Sequence, residues 1–200
     1  MNRMETRELE LAMVGAALEG APVEPARIAR LARLLGLDER LLLEFRRHHG
    51  PRRTRIARFL TAAGDGRTWT AIALALLATR SPTPVHIALR LAAGCTLGAL
   101  AAQVLKRTLN RARPTSAIAG FEALAENPDA FSFPSGHTAA AFAVAVAVFG
   151  EAPYLGPLAL LLATGIGLSR VYLGAHYPID VLVGGVLGAV VGAGARLAVP

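Results

Sequence analysis

Three short polar clusters contain the residues of this sequence that could carry out chemistry. Each interrupts a chain that is strongly apolar from residue 68 onward. The clusters are Lys106 with Arg113 and Pro114; Phe133, Pro134, Ser135, Gly136 and His137; and Ser169 and Arg170 with His176 and Asp180. They combine cations, two histidines and a carboxylate, which points to chemistry on an anion.

The cations predict a phosphate-binding pocket. Arg113 and Arg170 offer planar forks that match phosphate oxygens, and Lys106 adds a point charge. Ser135 and Gly136 stand where an apolar segment begins, so backbone N–H groups at a helix N-terminus can face the same anion.

The histidines predict phosphoryl transfer. His176 and Asp180 are four positions apart, so on a helix they share a face and the carboxylate can bind one imidazole nitrogen. That contact fixes the tautomer and leaves the other nitrogen free to attack. His137 lies in the first turn of its predicted helix. One histidine would attack phosphorus, the other would protonate the leaving oxygen, and the cations would stabilise the equatorial oxygens.

Each cluster alone has a simpler interpretation. Lys106, Arg113 and their neighbours could be the cytoplasmic flank of a membrane helix. Pro-Ser-Gly is commonly a turn at a helix start, and a His–Asp pair is commonly structural. A metal site is disfavoured, because only one carboxylate is near and no His-x-x-x-His or cysteine cluster exists. We therefore predict neither metal nor cofactor.

Membrane helices must position these clusters. Hydrophobic residues make up 54% of the chain and charged residues 18%, which is more apolar than ordinary soluble domains. Gly184, Gly188 and Gly192 form a small-residue stripe suited to close helix contact. Apolar segments occupy 69–78, 85–109, 138–149, 154–168 (extending to about 173) and 179–199. The predicted fold is all-α, a polytopic transmembrane bundle of about five spans. If the last four segments each cross once, all three clusters lie at one membrane face.

The N-terminal part differs in composition. Residues 1–67 hold 13 of the 21 Lys and Arg, all of them Arg. We predict amphipathic helices at 4–19 and 24–47, and a division into an Arg-rich segment, 1–58, and a membrane domain, 59–200. The helices are either solvated or lie on an anionic membrane surface. The net charge of +7 does not indicate nucleic-acid binding, because no basic domain with aromatic stacking residues accompanies it.

The clusters resemble the signature of the type 2 phosphatidic acid phosphatase family, which includes bacterial undecaprenyl-diphosphate phosphatases and vanadium haloperoxidases. That signature is Lys-x6-Arg-Pro, Pro-Ser-Gly-His and Ser-Arg-x5-His-x3-Asp, and this sequence matches every position. The resemblance covers about residues 60–198. It implies a metal-independent membrane phosphatase whose substrate is a lipid phosphate: phosphatidic acid, phosphatidylglycerophosphate, or a polyprenyl phosphate or diphosphate.

The resemblance also implies roles for individual residues. His176 would be the nucleophile that forms a phosphohistidine, Asp180 would orient it, and His137 would be the general acid. The implied phosphate-binding residues are Lys106, Arg113, Ser135, Gly136 and Arg170. Asp65, between two glycines, resembles a recurrent family element to which we assign no role.

Three other functions remain open at this stage. The chain could pass the phosphoryl group to a second lipid, or bind or transport lipid phosphates without catalysis. A vanadate-dependent haloperoxidase is disfavoured, because those relatives are longer and soluble. The sequence does not predict an oligomeric state.

The sequence departs from the family in its first span. Membrane members commonly have six spans, the first lying before the Gly-Asp-Gly element, but residues 38–58 contain too many ionisable side chains to span. We therefore expect the N-terminal segment on the active-site side. Because that side is richer in Arg, the positive-inside rule predicts a site at the cytoplasmic face of a bacterial inner membrane.

Overall fold

The computed structural model describes residues 25–125 and 129–199, which are largely helical and contain no β-strand. The eight helices in this part are α1 (Pro25–Arg47), α2 (Pro51–Ala63), α3 (Gly66–Ala78), α4 (Pro82–Leu109), α5 (Pro114–Ala117), α6 (Gly136–Ala147), α7 (Leu155–Tyr172) and α8 (Pro178–Ala198). The predicted all-α fold is confirmed, and α1 matches the helix predicted at 24–47. The helix predicted at 4–19 lies outside the described residues.

Three helices, α4, α7 and α8, are long and apolar enough to cross a membrane. The other two predicted apolar segments fall on α3 and α6, which are apolar but shorter. Large apolar side chains such as Leu97, Leu161 and Val190 point outward from the three long helices, as expected for surfaces that face lipid. The chain is therefore an integral membrane helix bundle.

Helix α6 is the centre of the bundle. Its alanine-rich sequence is largely buried, and it contacts α4, α7 and α8. The glycine stripe predicted on α8 faces it: a Cβ at Gly188 would lie 2.2 Å from the Ala139 carbonyl oxygen, and one at Gly192 would lie 2.4 Å from the Ala143 carbonyl oxygen. This close approach holds the start of α6 beside the start of α8.

Helices α2 and α3 meet at a break, Gly64-Asp65-Gly66. Helix α2 lies along the end of α7, where the Thr61 and Ser169 hydroxyls are 2.8 Å apart. A Cβ at Gly64 would lie 2.6 Å from the Ile166 side chain, so the break itself is packed against α7. Helix α2 runs through the predicted boundary between 58 and 59, and that domain division stays a prediction.

Helix α1 docks on the end of the bundle where α7 finishes and α8 begins. Leu42 is 1% exposed and packs in an apolar cluster with Phe121, Val171 and Tyr177. Asp38, one turn earlier, is equally buried. The N-terminal helix is therefore anchored by a charged as well as an apolar side chain.

Candidate active site

The three polar clusters converge on one cavity of about 130 Å³. Six of the eight predicted site residues line it: Lys106, Arg113, Gly136, His137, Arg170 and His176. The remaining lining comes from Ala99, Ala102, Gln103 and Asp129. Ser135 and Asp180 are fully buried and lie outside this lining.

Helix ends position these side chains. Lys106 and Arg170 lie in the last turns of α4 and α7, and Arg113 immediately precedes α5. Gly136 and His137 open α6, after Ser135 at its N-cap. The Ser135 N–H donates to the Asp180 carbonyl oxygen at 3.0 Å, which ties the second cluster to the third. The Ser135 hydroxyl accepts a bond from the Thr138 hydroxyl at 2.9 Å.

His176 lies at the floor of the cavity and is 1% exposed. Its Nδ1 is 3.6 Å from the nearer Asp180 carboxylate oxygen, just beyond hydrogen-bond length. Its Nε2 is 3.5 Å from Nη1 of Arg113. Burial lowers the pKa of His176 to about 4, assisted by Arg170 and Arg113 and opposed by Asp180. The ring is therefore neutral at neutral pH, with a nitrogen lone pair available for attack.

Asp180 is held by two donors. Its Oδ1 accepts a bond from Arg111 at 2.6 Å, and its Oδ2 accepts the Tyr177 N–H at 2.9 Å. Arg111 also donates to Asp38 of α1 at 2.7 Å. No motif in the sequence indicated Arg111 or Asp38 as neighbours of the site, since Asp38 lies 73 positions from Arg111 and outside every motif.

Asp129 is a second residue that the motifs did not reveal. Its carboxylate accepts bonds from Lys106 at 2.8 Å and from Arg113 at 2.6 Å. Burial opposes ionisation, but these two cations outweigh it and lower the Asp129 pKa. The ionised Asp129 carboxylate thus lies between two of the predicted phosphate-binding cations. Its position in the loop between the first two clusters was the only available signal.

Asp65, at the break between α2 and α3, contacts the second histidine. Its Oδ1 is 2.8 Å from His137 Nε2. Gly64 and Gly66 interrupt the helices there, so the carboxylate is brought to the mouth of the site and is 48% exposed. The Gly-Asp-Gly element noted in the sequence thus contacts His137, although no contact was predicted for it from the sequence.

Among residues 25–125 and 129–199, no group of three or more His, Cys, Asp or Glu side chains is arranged to hold a metal ion. The cavity is instead dominated by cations. Lys106, Arg113 and Arg170 surround a space beside a neutral imidazole. Such an arrangement can bind a tetrahedral oxyanion and present a nucleophilic nitrogen to it.

The sequence of this chain matches a known protein family. The sequence model of the PAP2 superfamily matches residues 87–200, more than half of the chain. A decaprenylphosphoryl-5-phosphoribose phosphatase from Mycobacterium tuberculosis is 40% identical over 101 residues, which are 50% of this chain and 55% of the relative. An undecaprenyl-diphosphatase from Sulfolobus acidocaldarius is 28% identical over 131 residues, which are 65% of this chain and 63% of the relative. The chain thus aligns with little more than half the length of these relatives.

Two crystal structures have a similar fold. Aquifex aeolicus LpxE superposes with a TM-score of 0.66 at 27% identity, covering 80% of this chain and 94% of LpxE. A PAP2-type phosphatidylglycerolphosphate phosphatase from Bacillus subtilis gives a TM-score of 0.68, covering 98% of this chain and 94% of that one. The second pair is 21% identical, so that likeness concerns the fold alone.

Proposed function

This chain belongs to the PAP2 superfamily, and from that premise we propose that it is a membrane phosphatase that hydrolyses a lipid phosphate. The observation that carries the proposal is the cavity in which three cations surround the buried, neutral His176. The named relatives, which are phosphatases of polyprenyl compounds, support the same reaction class.

In the first step His176 Nε2 attacks phosphorus. The N–P bond forms as the bond from phosphorus to the lipid oxygen breaks, and His137 gives its proton to that oxygen. Lys106, Arg113 and Arg170 stabilise the charge on the equatorial oxygens. The Gly136 N–H, at the start of α6, adds a helix N-terminus to the same cradle.

In the second step water attacks the phosphohistidine. His137 now accepts a proton from the water, the N–P bond breaks, and phosphate leaves His176 neutral again. Asp65 holds His137 during both transfers, and the Asp180 carboxylate, 3.6 Å from the His176 Nδ1, stabilises the positive charge that the ring gains on attack. Ser135 supports the site from behind, as the N-cap of α6. The neutral nucleophile is lost only as pH falls through about 4.

Phosphate release from lipid phosphates tests this proposal. Detergent-purified protein would be incubated with phosphatidic acid, phosphatidylglycerophosphate, and polyprenyl phosphate and diphosphate, each with a metal chelator present. We expect release from at least one lipid, and none from His176→Ala. Activity lost in chelator and restored by one specific metal would contradict the metal-independent mechanism, and a wild-type protein inactive on every lipid would contradict the function.

We also propose that the site faces the cytoplasm from a bacterial inner membrane. The exposed arginines Arg52, Arg53, Arg55 and Arg58 begin α2, at the end of the bundle that holds the cavity, since the Gly50 N–H bonds the Tyr172 hydroxyl at 3.0 Å. The positive-inside rule favours the cytoplasm for such a flank.

Cysteine labelling of intact cells tests this orientation. Single cysteines would replace Ser116, at the site end, and Thr83, at the other end, in a Cys95→Ala background; both positions are exposed. A membrane-impermeant thiol reagent should modify Thr83→Cys and spare Ser116→Cys. The reverse pattern would place the site outside and favour an exported lipid carrier as substrate.

A further inference from the structure

Asp38 is a buried charge brought to the site by the N-terminal helix. Its side chain is fully enclosed. One carboxylate oxygen accepts a bond from Arg111 at 2.7 Å, and the other accepts the Ile179 N–H at 2.8 Å. Burial raises the pKa of Asp38, while the Ile179 N–H and Arg111 oppose that rise. Removing either partner of such a buried pair would leave an uncompensated buried charge, so Asp38 and Arg111 depend on each other.

Arg111 is the link between Asp38 and the site. Its guanidinium spans two carboxylates, with Nη2 on Asp38 and Nη1 on Asp180 at 2.6 Å. It also stacks over the Tyr177 ring, 4.1 Å from the centroid. Burial disfavours its charge, but the two carboxylates outweigh burial and raise the Arg111 pKa. Unlike Arg113, Arg111 does not line the cavity, and its guanidinium bonds go to Asp180 and Asp38.

These contacts determine where Asp180 stands relative to His176. Both oxygens of Asp180 are occupied, by Arg111 and by the Tyr177 N–H, while the His176 Nδ1 is 3.6 Å away. Asp38 acts on this geometry twice: it holds Arg111, and it binds a backbone N–H in the first turn of α8, the helix that carries Asp180.

We infer that Asp38 is a positioning residue for the proposed reaction: it holds Arg111, and Arg111 fixes Asp180 behind the His176 nucleophile. The inference rests on the proposed function. Asp38 precedes residues 87–200, which match the family, and so does Asp65, which contacts His137. Helix α1 of this chain therefore adds a residue from outside the matched domain to the surroundings of the site.

The test compares Asp38→Asn with Leu42→Ala. Both side chains are buried on α1 and 1% exposed. Leu42 packs in an apolar cluster, so its truncation removes apolar contacts of α1 while the bonds from Asp38 to Arg111 and Ile179 remain. Glu44→Gln, at an exposed pair with Arg47, controls for a charge change on the same helix. Thermal unfolding in detergent would establish a temperature at which every variant is folded.

At that temperature, Asp38→Asn should lower kcat by about 10- to 100-fold, the loss expected from a small misplacement of reacting groups. KM should stay within about two-fold, because substrate binding is not touched. Leu42→Ala and Glu44→Gln should keep near-normal kcat. An Asn at position 38 can still accept the Ile179 N–H, so Asp38→Asn and Arg111→Gln both act through the contact between these two residues. Combining them should therefore add little to the larger single effect. Equal losses in Asp38→Asn and Leu42→Ala, or fully additive losses in the double variant, would overturn the inference.

A second readout does not depend on turnover. In ¹⁵N-histidine spectra, the wild-type His176 ring should show one tautomer, which Asp38→Asn disturbs and Leu42→Ala does not. An undisturbed His176 signal in Asp38→Asn would overturn the inference even in an active protein. If the wild type releases phosphate from no lipid, the proposed function fails, and these spectra still decide whether Asp38 positions the histidine.

Discussion

Two partly buried clusters of ionisable side chains lie at opposite ends of α4, and they are built differently. At the far end, Glu151 pairs with both Arg90 and His86, and Arg90 also donates to the Val199 carbonyl oxygen at 2.9 Å. At the site end, Lys106 and Arg113 share Asp129. Arg90 and Lys106 are 16 residues apart, which is roughly 24 Å of helix.

The partners explain the difference. Glu151 is 12% exposed and contacts Arg90 and His86 of α4, as expected for a side chain that joins parts of the fold. Asp129 is 30% exposed, on a loop, and it holds cations that face a cavity. A phosphate can replace its carboxylate with equivalent bonds. Lys106 and Arg113 therefore differ from Arg90 in that a bound phosphate could take the place of their carboxylate partner.

The largest difference in kcat should be between variants of the two histidines that contact a carboxylate, His137 at the site end and His86 at the far end. His137→Ala should lower kcat by about 10²–10⁴-fold, because it removes the general acid. The loss should be least for substrates whose leaving group needs no proton. The matched change at the far end, His86→Ala, should leave kcat within about three-fold of wild type. Steady-state kinetics on both variants would check this, and equal losses would mean that the two ends are not functionally distinct.

Two arginines, one from each cluster, should separate activity from stability. Arg113→Ala should lower kcat/KM by about 10²–10³-fold, the usual effect of losing one donor to transition-state charge. Arg90→Ala should instead destabilise the fold by roughly 3 kcal/mol, because it leaves Glu151 buried with a lost partner. Thermal unfolding in detergent beside kinetics gives both quantities. A stable, inactive Arg90→Ala protein would refute the structural assignment of the far cluster.

The smallest expected effect is on inhibition by orthovanadate when the central carboxylate of each cluster, Asp129 or Glu151, is replaced by its amide. Asp129→Asn removes the anion that competes for Lys106 and Arg113, so inhibition by orthovanadate should tighten by about three- to ten-fold. Glu151→Gln should leave the vanadate constant unchanged and lower the unfolding temperature. Competitive inhibition assays would measure both constants. Weaker vanadate inhibition in Asp129→Asn would mean that this carboxylate organises the cradle and does not compete for it.

The sequence predicted the helices and the convergence well, for physical reasons. The positions of the apolar runs predicted α3, α4, α6, α7 and α8. Because each of the last four runs was expected to cross the membrane once, Lys106, His137 and His176 were predicted at the same end of the bundle. The glycine stripe on α8 predicted close contact, which Gly188 and Ala139 make.

Partner choice between distant segments could not be predicted in this way. Asp38, Asp65 and Asp129 each bind a residue that lies in a motif or next to one. Hydropathy and spacing, however, do not indicate which distant loop or helix packs against a given motif. Ser135 illustrates the same limit: it stands in the motif, but the fold turns its hydroxyl to Thr138. Those contacts depend on the docking of α1, α2 and the loop before α6.

Trapping the covalent intermediate tests the central claim most directly. Protein would be mixed with a radiolabelled lipid phosphate, quenched in alkali to preserve phosphohistidine, digested and sequenced by mass spectrometry. The wild type should carry an acid-labile phosphoryl group on His176, and more of it in His137→Ala if the second step is slowed more than the first. His176→Ala should carry none and should not turn over. A phosphoryl group on another residue, or normal turnover in His176→Ala, would contradict the account.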